Sequence, residues 1–276
     1  MRPPAPLAAC SWSFQTDDPR AIAEHARAVG VEAVQLHLDT LSSPDHARTA
    51  AAALADAGVA VASGMMTTVG EDYSTLEAIR RTGGLRPDEH WPTNRAAARK
   101  NAEVASELGL SLVTLHAGFI PEDPADPERR TFLRRLADVA DAFHAAGVRL
   151  GLETGQESAE TLVGVLAELD RAHVGVNFDP ANMLLYASGD PTEAFQRLAP
   201  LAFQMHIKDA VPSSTPGEWG EEVVVGTGTV DWEALFGLVD RACPGLPMAI
   251  EREAGESRVH DIRAAAEFVR ALRPDV

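Results

Sequence analysis

Four residues with metal-binding side chains each close a short apolar run: Glu153 after VRLGL, Asp179 after HVGVNF, His206 in AFQMHIK and Glu251 after PMAI. Earlier runs end on Trp12, His37 and His116, and a Met65-Met66 pair follows another. Any one of these has a bland explanation, as a hydrogen-bonded core histidine or a solvated strand end. Four such groups on four consecutive runs ask for a common cause. Three carboxylates brought together raise one another's pKa, and a cation removes the repulsion. Carboxylate oxygens with one imidazole nitrogen suit a hard or borderline divalent ion. Mn2+ is expected first, with Mg2+, Co2+ or Zn2+ as alternatives. The two cysteines, Cys10 and Cys243, stand far apart, which excludes a disulfide scaffold and a thiolate zinc site.

Strand-end residues meet only if their strands run parallel around one mouth, so the intervening segments decide the matter. Strand-like runs occupy Leu7–Trp12, Val31–Leu38, Val59–Ser63, Leu110–Gly118, Val148–Glu153, His173–Asp179, Ala202–Lys208 and Pro247–Glu251. Helical stretches lie between them: from Pro19 to Ala28, from Pro44 to Gly58, and over 93–108, 127–146, 158–169, 190–199, 230–242 and 256–272. Asp18-Pro19 and Ser43-Pro44 are capping residues followed by an early proline. Alternating strands and helices imply βαβ units and a parallel sheet. Eight units favour a single (β/α)8 TIM barrel, whose usual ~250 residues fit the 276 present. No Pro/Ser-rich linker interrupts the chain, so residues 1–276 are expected to form one domain. Barrel active sites lie at the C-terminal strand ends, where the polar residues fall. The segments 64–92, with a short helix around Tyr73–Arg81, and 211–228, with Trp219, are long enough to act as lids over that mouth.

Hydrophobic residues make up 45% of the chain, enough for a large core, and the net charge is −17. Such a surface repels phosphate backbones and anionic lipid, so neither nucleic acid nor membrane is an expected partner. No apolar run reaches the ~20 residues of a membrane span. The opening Met-Arg-Pro-Pro-Ala-Pro lacks the apolar core of a signal peptide, which makes the cytoplasm the expected compartment.

The segments CSWSF (10–14), GLETGQE (151–157), NFDPANM (177–183), HIKD (206–209), GTGTVDW (226–232) and AIERE (249–253) resemble the sugar phosphate isomerase/epimerase superfamily. That group has a xylose isomerase-like TIM barrel. The resemblance spans nearly the whole chain and implies Glu153, Asp179, His206 and Glu251 as the ligands of one divalent metal ion. It further implies Glu153 and Glu251 as the acid–base pair of a sugar isomerase or epimerase. In such chemistry a proton leaves the carbon beside a carbonyl, the metal offsets the charge of the enediolate, and a proton returns on the other face or the adjacent carbon. The alternative is a lyase or dehydratase acting on a keto-sugar or keto-inositol, in which the enolate expels a β-substituent. A third reading, a barrel that binds sugar without turnover, conflicts with retention of all four ligands and both glutamates. Related barrels are often dimers or tetramers, so a homo-oligomer is compatible with the resemblance.

Two positions depart from the ketose 3-epimerase pattern. Asn182 stands where those enzymes carry a histidine, and their arginine after the strand-seven histidine is absent from IKDAVPSS. The DNA endonuclease branch needs further histidines that the chain lacks. The expected partner is therefore a small sugar or polyol. Substrate-binding candidates are His116, Asn182, Glu157, Lys208, Trp12 and His37, whereas Asp209 is expected to be structural. Lys208 shares a strand face with His206. Arg252 apart, no arginine is placed to meet a phosphate at the strand ends, which favours a neutral substrate.

Overall fold

Eight parallel strands close on themselves in the computed structural model, which describes residues 6–274. They are β1 (Ala8–Cys10), β2 (Ala33–His37), β3 (Ala60–Met65), β4 (Leu112–Leu115), β5 (Arg149–Glu153), β6 (Val174–Phe178), β7 (Ala202–Ile207) and, after a hairpin of β8 (Asp209–Val211) and β9 (Glu221–Val223), β10 (Met248–Ile250). Each barrel strand pairs with the next in sequence, and β10 closes the ring between β7 and β1. The fold is the expected (β/α)8 barrel. Part of the opening segment weighed as a leader, residues 1–5, lies outside the described residues.

The helices are α1 (Pro19–Ala28), α2 (Pro44–Asp56), α3 (Leu76–Thr82), α4 (Trp91–Glu107), α5 (Pro127–Ala145), α6 (Ala159–Leu169), α7 (Pro180–Leu185), α8 (Pro191–Leu198), α9 (Trp232–Ala242) and α10 (Arg258–Leu272). A recurrent local code starts several of them. Asp18, Ser43, Asp126 and Asp190 each accept a first-turn N–H on the side chain, and proline occupies the next position. The cap satisfies an orphan donor, and the proline sits where its missing N–H costs nothing.

Two shells of different chemistry flank the barrel wall. Between strands and helices lies a continuous apolar core that includes Val34, Leu115, Phe143, Leu150, Phe178 and Phe195. Inside the barrel, small residues from β1, β2 and β10 (Ala8, Cys10, Ala33, Ala249) leave room for a buried polar layer. There Ser63 Oγ donates to Gln204 Oε1 at 2.6 Å, Gln204 Nε2 to Gln35 Oε1 at 2.9 Å, and Gln35 Nε2 to Thr114 Oγ1 at 2.8 Å. A buried network of this kind rigidifies its members because each unpaired group would carry a desolvation cost.

The two long segments after β3 and β7 differ from their sequence-based outline. The stretch expected to be an irregular loop over 211–228 opens as the β8–β9 hairpin, whose three-residue strands are too short to register as a pattern. Asp209 anchors it from beneath. Its Oδ2 accepts from Gly226 N, Gly228 N and Trp232 Nε1, and its Oδ1 accepts from Val230 N. The helix α7 was not expected at all. After β3, the chain passes through α3 and is pressed against the segment following β4. At Gly84, with φ +70°, any Cβ would collide with the Ala117 carbonyl. No helix among the described residues is long and apolar enough to cross a membrane.

Candidate metal centre

The four strand-end ligand candidates converge. One ligand atom from each of Glu153, Asp179, His206 and Glu251 lies within 4.8 Å of the others, and all four residues are buried. His206 Nδ1 is 3.3 Å from Glu153 Oε1, 3.6 Å from Asp179 Oδ2 and 3.4 Å from Glu251 Oε2. His206 Nδ1 and Asp179 Oδ2 are both buried without a hydrogen-bond partner. Buried polar atoms are rarely left so, and two of them aimed at one point fit a divalent cation.

Each ligand is oriented by a specific neighbour. Asp179 is the N-cap of α7: its Oδ1 accepts from Asn182 N at 2.9 Å, which leaves Oδ2 turned to the cluster. His206 Nε2 lies 2.8 Å from Gln35 Oε1. Gln35 Nε2 donates to Thr114 and Gly64, so its oxygen accepts from His206 Nε2–H, and Nδ1 is the nitrogen that faces the carboxylates. Glu153 Oε2 accepts from Asn177 Nδ2 at 3.2 Å and its Oε1 from Asn182 Nδ2 at 3.0 Å. Glu251 Oε1 accepts from Trp12 Nε1 at 2.8 Å and its Oε2 from Lys208 Nζ at 2.9 Å. Sequence reasoning missed Gln35, Asn177 and Gln204. Their signal was present, a lone polar side chain in the middle of an apolar strand two residues from a mouth residue.

The charges of the cluster hold one another. Burial works against a charged His206, yet the carboxylates of Glu153 and Glu251 outweigh it and hold the imidazole well above its ordinary range. Burial would raise Glu153, but the adjacent His116 and His206 keep it well below the usual carboxylate value. Burial opposes a charge on His116, with Nε2 3.2 Å from Glu153 Oε1, yet Glu153, Glu71 and Glu251 together push it up to about 9. Burial likewise opposes the charge on Lys208, but Glu251 and Glu253 hold it well above the usual lysine range.

A cavity of about 450 Å³ opens onto this cluster. Trp12, His37, His116, Asn182, Lys208 and Glu251 line it, while Glu153, Asp179 and His206 are buried behind these lining residues. His37 Nε2 is 3.4 Å from Asp39. Two further residues differ from expectation. Arg252 does not face the mouth: its guanidinium is held by Glu222 and Asp261, each at 2.9 Å. Glu157 is neither solvated nor part of the cavity lining; it is buried in the loop after β5. Lys208, which with His116 supplies the positive charge among the lining residues, also contacts Glu253 Oε2 at 2.5 Å and Asn182 Oδ1 at 3.2 Å. Glu253 went unnoticed in the sequence, though it stands two residues beyond Glu251.

Glu157 carries a testable consequence. Burial raises its carboxyl to about 8, against an ordinary value of about 4.3. The folded state therefore keeps a proton that the unfolded chain gives up. The stability this confers is full below about pH 4.3 and is lost as pH rises toward 8. Glu157→Gln removes the dependence. Thermal melts at about pH 5 and about pH 8.5 should show the variant gaining on the parent protein at the higher pH, by an amount on the order of a few kcal/mol. An unchanged difference between the two pH values would contradict a protonated Glu157.

Comparison with known proteins places this geometry among relatives. The pattern of the xylose isomerase-like TIM barrel matches residues 23–272. A crystal structure of a xylose isomerase domain protein from Planctomyces limnophilus superposes with a TM-score of 0.91 at 30% identity, covering 99% of each chain. D-allulose 3-epimerase from Methylomonas sp., solved in complex with D-allulose, superposes with a TM-score of 0.71 at 15% identity, over 98% of this chain and 97% of that one. Two curated relatives match over only 31% and 54% of their own lengths. The second, a probable L-ribulose-5-phosphate 3-epimerase from Mycoplasma pneumoniae, is 27% identical over 177 residues, 59% of this chain.

Proposed function

The chain belongs to the xylose isomerase-like TIM barrel family, and from that premise we propose that it is a divalent-metal-dependent sugar isomerase or epimerase working by proton transfer through an enediolate. The observation that carries the reading is the pair Glu153 and Glu251. Both are buried carboxylates of the cluster, and they reach it from strands separated by β6 and β7. The two glutamates therefore approach a bound sugar from different sides.

Glu153, Asp179, His206 and Glu251 would hold the ion. When bound, it supplies positive charge that offsets an enediolate's developing charge and orients neighbouring sugar oxygens. Glu153 and Glu251 carry the proton transfers. The donors on Glu251, Trp12 Nε1 and Lys208 Nζ, fix its plane and limit which oxygen reaches the substrate. Lys208 keeps its positive charge 2.9 Å from Glu251 Oε2 and holds that oxygen in place. Asn182 joins Glu153 to Lys208 through its two amide atoms. It aligns the pair and can bond a hydroxyl, but it exchanges no proton near neutral pH.

The substrate is an uncharged sugar or polyol derivative. Lys208 is committed to Glu251, Glu253 and Asn182, His116 is paired with Glu153, and Arg252 is turned away. The Mycoplasma relative's phosphorylated substrate is therefore not carried over. Incubating the metal-loaded protein with a panel of unphosphorylated ketoses and aryl and alkyl keto-glycosides in D2O is the direct test. Deuterium should enter at the carbon beside the carbonyl of at least one of them. Loss of water or of a substituent in place of exchange would redirect the enolate to elimination. A panel with neither outcome would sink the proposal.

A further inference from the structure

The cavity changes character away from the metal end. At one end it is lined by the buried charged groups of Lys208 and Glu251, whereas elsewhere it is lined by three aromatic rings from three different segments. Tyr73 comes from the stretch between β3 and α3, Tyr186 follows α7, and Trp219 belongs to the turn of the β8–β9 hairpin. Tyr186 and Trp219 meet edge to face, their centroids 4.8 Å apart at 67°. Tyr73 and Trp219 lie 6.4 Å apart at 31°. Leu185 and Met66 complete this wall. The Trp219 indole N–H is buried with no acceptor among the described residues. Tyr73, by contrast, is 47% exposed, which places a large ring at the rim.

Size and charge narrow what this wall is for. A single hexose occupies roughly 200 Å³ if each heavy atom takes about half of a liquid water's ~30 Å³. It would fill less than half of the cavity, which leaves room beside the three rings, where Thr67, Thr68, Glu71 and Glu253 are the polar neighbours. A phosphate or carboxylate there would meet no lysine or arginine except Lys208, which lies at the metal end and is already paired. A flat apolar group meets ring faces and edges, the contact such clusters favour, with one indole N–H left to bond an oxygen at the junction.

We infer that the outer end of the cavity is an aglycone subsite, and that the substrate is a keto-sugar that carries an aromatic or other flat apolar group and keeps its carbonyl on a ring carbon away from the aglycone. The inference rests on the sugar reading of the metal end. It is tested by binding without turnover, so that its failure and a failure of enolisation are separable. Titration calorimetry of the metal-loaded full-length protein would compare phenyl with methyl glycosides of glucose, galactose and mannose. For at least one sugar the phenyl glycoside should bind about 10-fold tighter, a difference of about 1.4 kcal/mol. Trp219→Ala combined with Tyr73→Ala should collapse that ratio toward one and leave the methyl glycoside's affinity in place. Tyr73→Ala alone, at the exposed rim, should reduce the ratio in part, and it keeps the test decisive if the double variant does not fold. Equal affinities for both glycosides, no binding of any phenyl glycoside, or a ratio that survives the substitutions would each overturn the subsite. Deuterium exchange into a free ketose, alongside equal glycoside affinities, would reject the subsite and leave the enolisation reading standing.

Discussion

Removing divalent metal with a chelator is expected to lower the melting temperature by about 8–16 °C, and Mn2+ should restore it. The figure follows from a ligand at a thousand times its Kd, which stabilises by about 4.1 kcal/mol, and from a shift of about 2–4 °C per kcal/mol for a chain near this size. The physical source is the cluster itself, where three carboxylates share one buried volume and two inward-facing atoms, Asp179 Oδ2 and His206 Nδ1, lack partners. Without the ion, a charged His206 beside Glu153 and Glu251 relieves part of the repulsion, which moderates the loss. That same proton competes with the metal. Because the carboxylates hold His206 well above its ordinary pKa, metal uptake releases a proton and the Mn2+-induced shift should shrink as pH falls. Asp179→Asn should abolish most of the shift. If chelator and Mn2+ leave the melting curve unchanged, the four residues do not form a metal site.

How far this centre could be read from sequence alone depended on whether a residue's role was written into the periodicity of its own strand. Glu153, Asp179, His206 and Glu251 were legible because an apolar run ended at each, and a parallel barrel turns run ends into a shared mouth. The caps were legible for a similar local reason, since Asp-Pro and Ser-Pro place both residues where the helix needs them. Asp179 shows the limit of that logic. It reads as a strand-end ligand, yet it is also the N-cap of α7, and the cap is what turns one oxygen toward the cluster. The PANMLL segment is too short to announce a helix. Gln35, Asn177 and Gln204 were passed over because one polar residue inside an apolar strand weighs little until the strands are set in a circle and the three touch. Arg252 misled for the opposite reason. Its position one past Glu251 points it away from the mouth, where Asp261 of α10 and Glu222 of β9 neutralise it. Contacts of that sequence separation have no local signature, and neither does the meeting of Tyr73, Tyr186 and Trp219.

Glu153→Gln and Glu251→Gln should each slow epimerisation by about 10²–10⁴-fold, the usual worth of a positioned proton-transfer group. Loss of a ligand would slow it too, so the rate alone does not separate the roles. The direction of exchange does. If the two glutamates serve opposite faces of the substrate, removing one disables abstraction from one epimer only. The variant should then exchange the proton of the other epimer with D2O without converting it. The companion variant should show the reverse preference. Asp179→Asn, which alters a ligand but no proton carrier, should depress exchange from both epimers equally. If both variants lose exchange from both epimers in equal measure, a single glutamate or another group carries both proton transfers, and the two-faced division of labour fails.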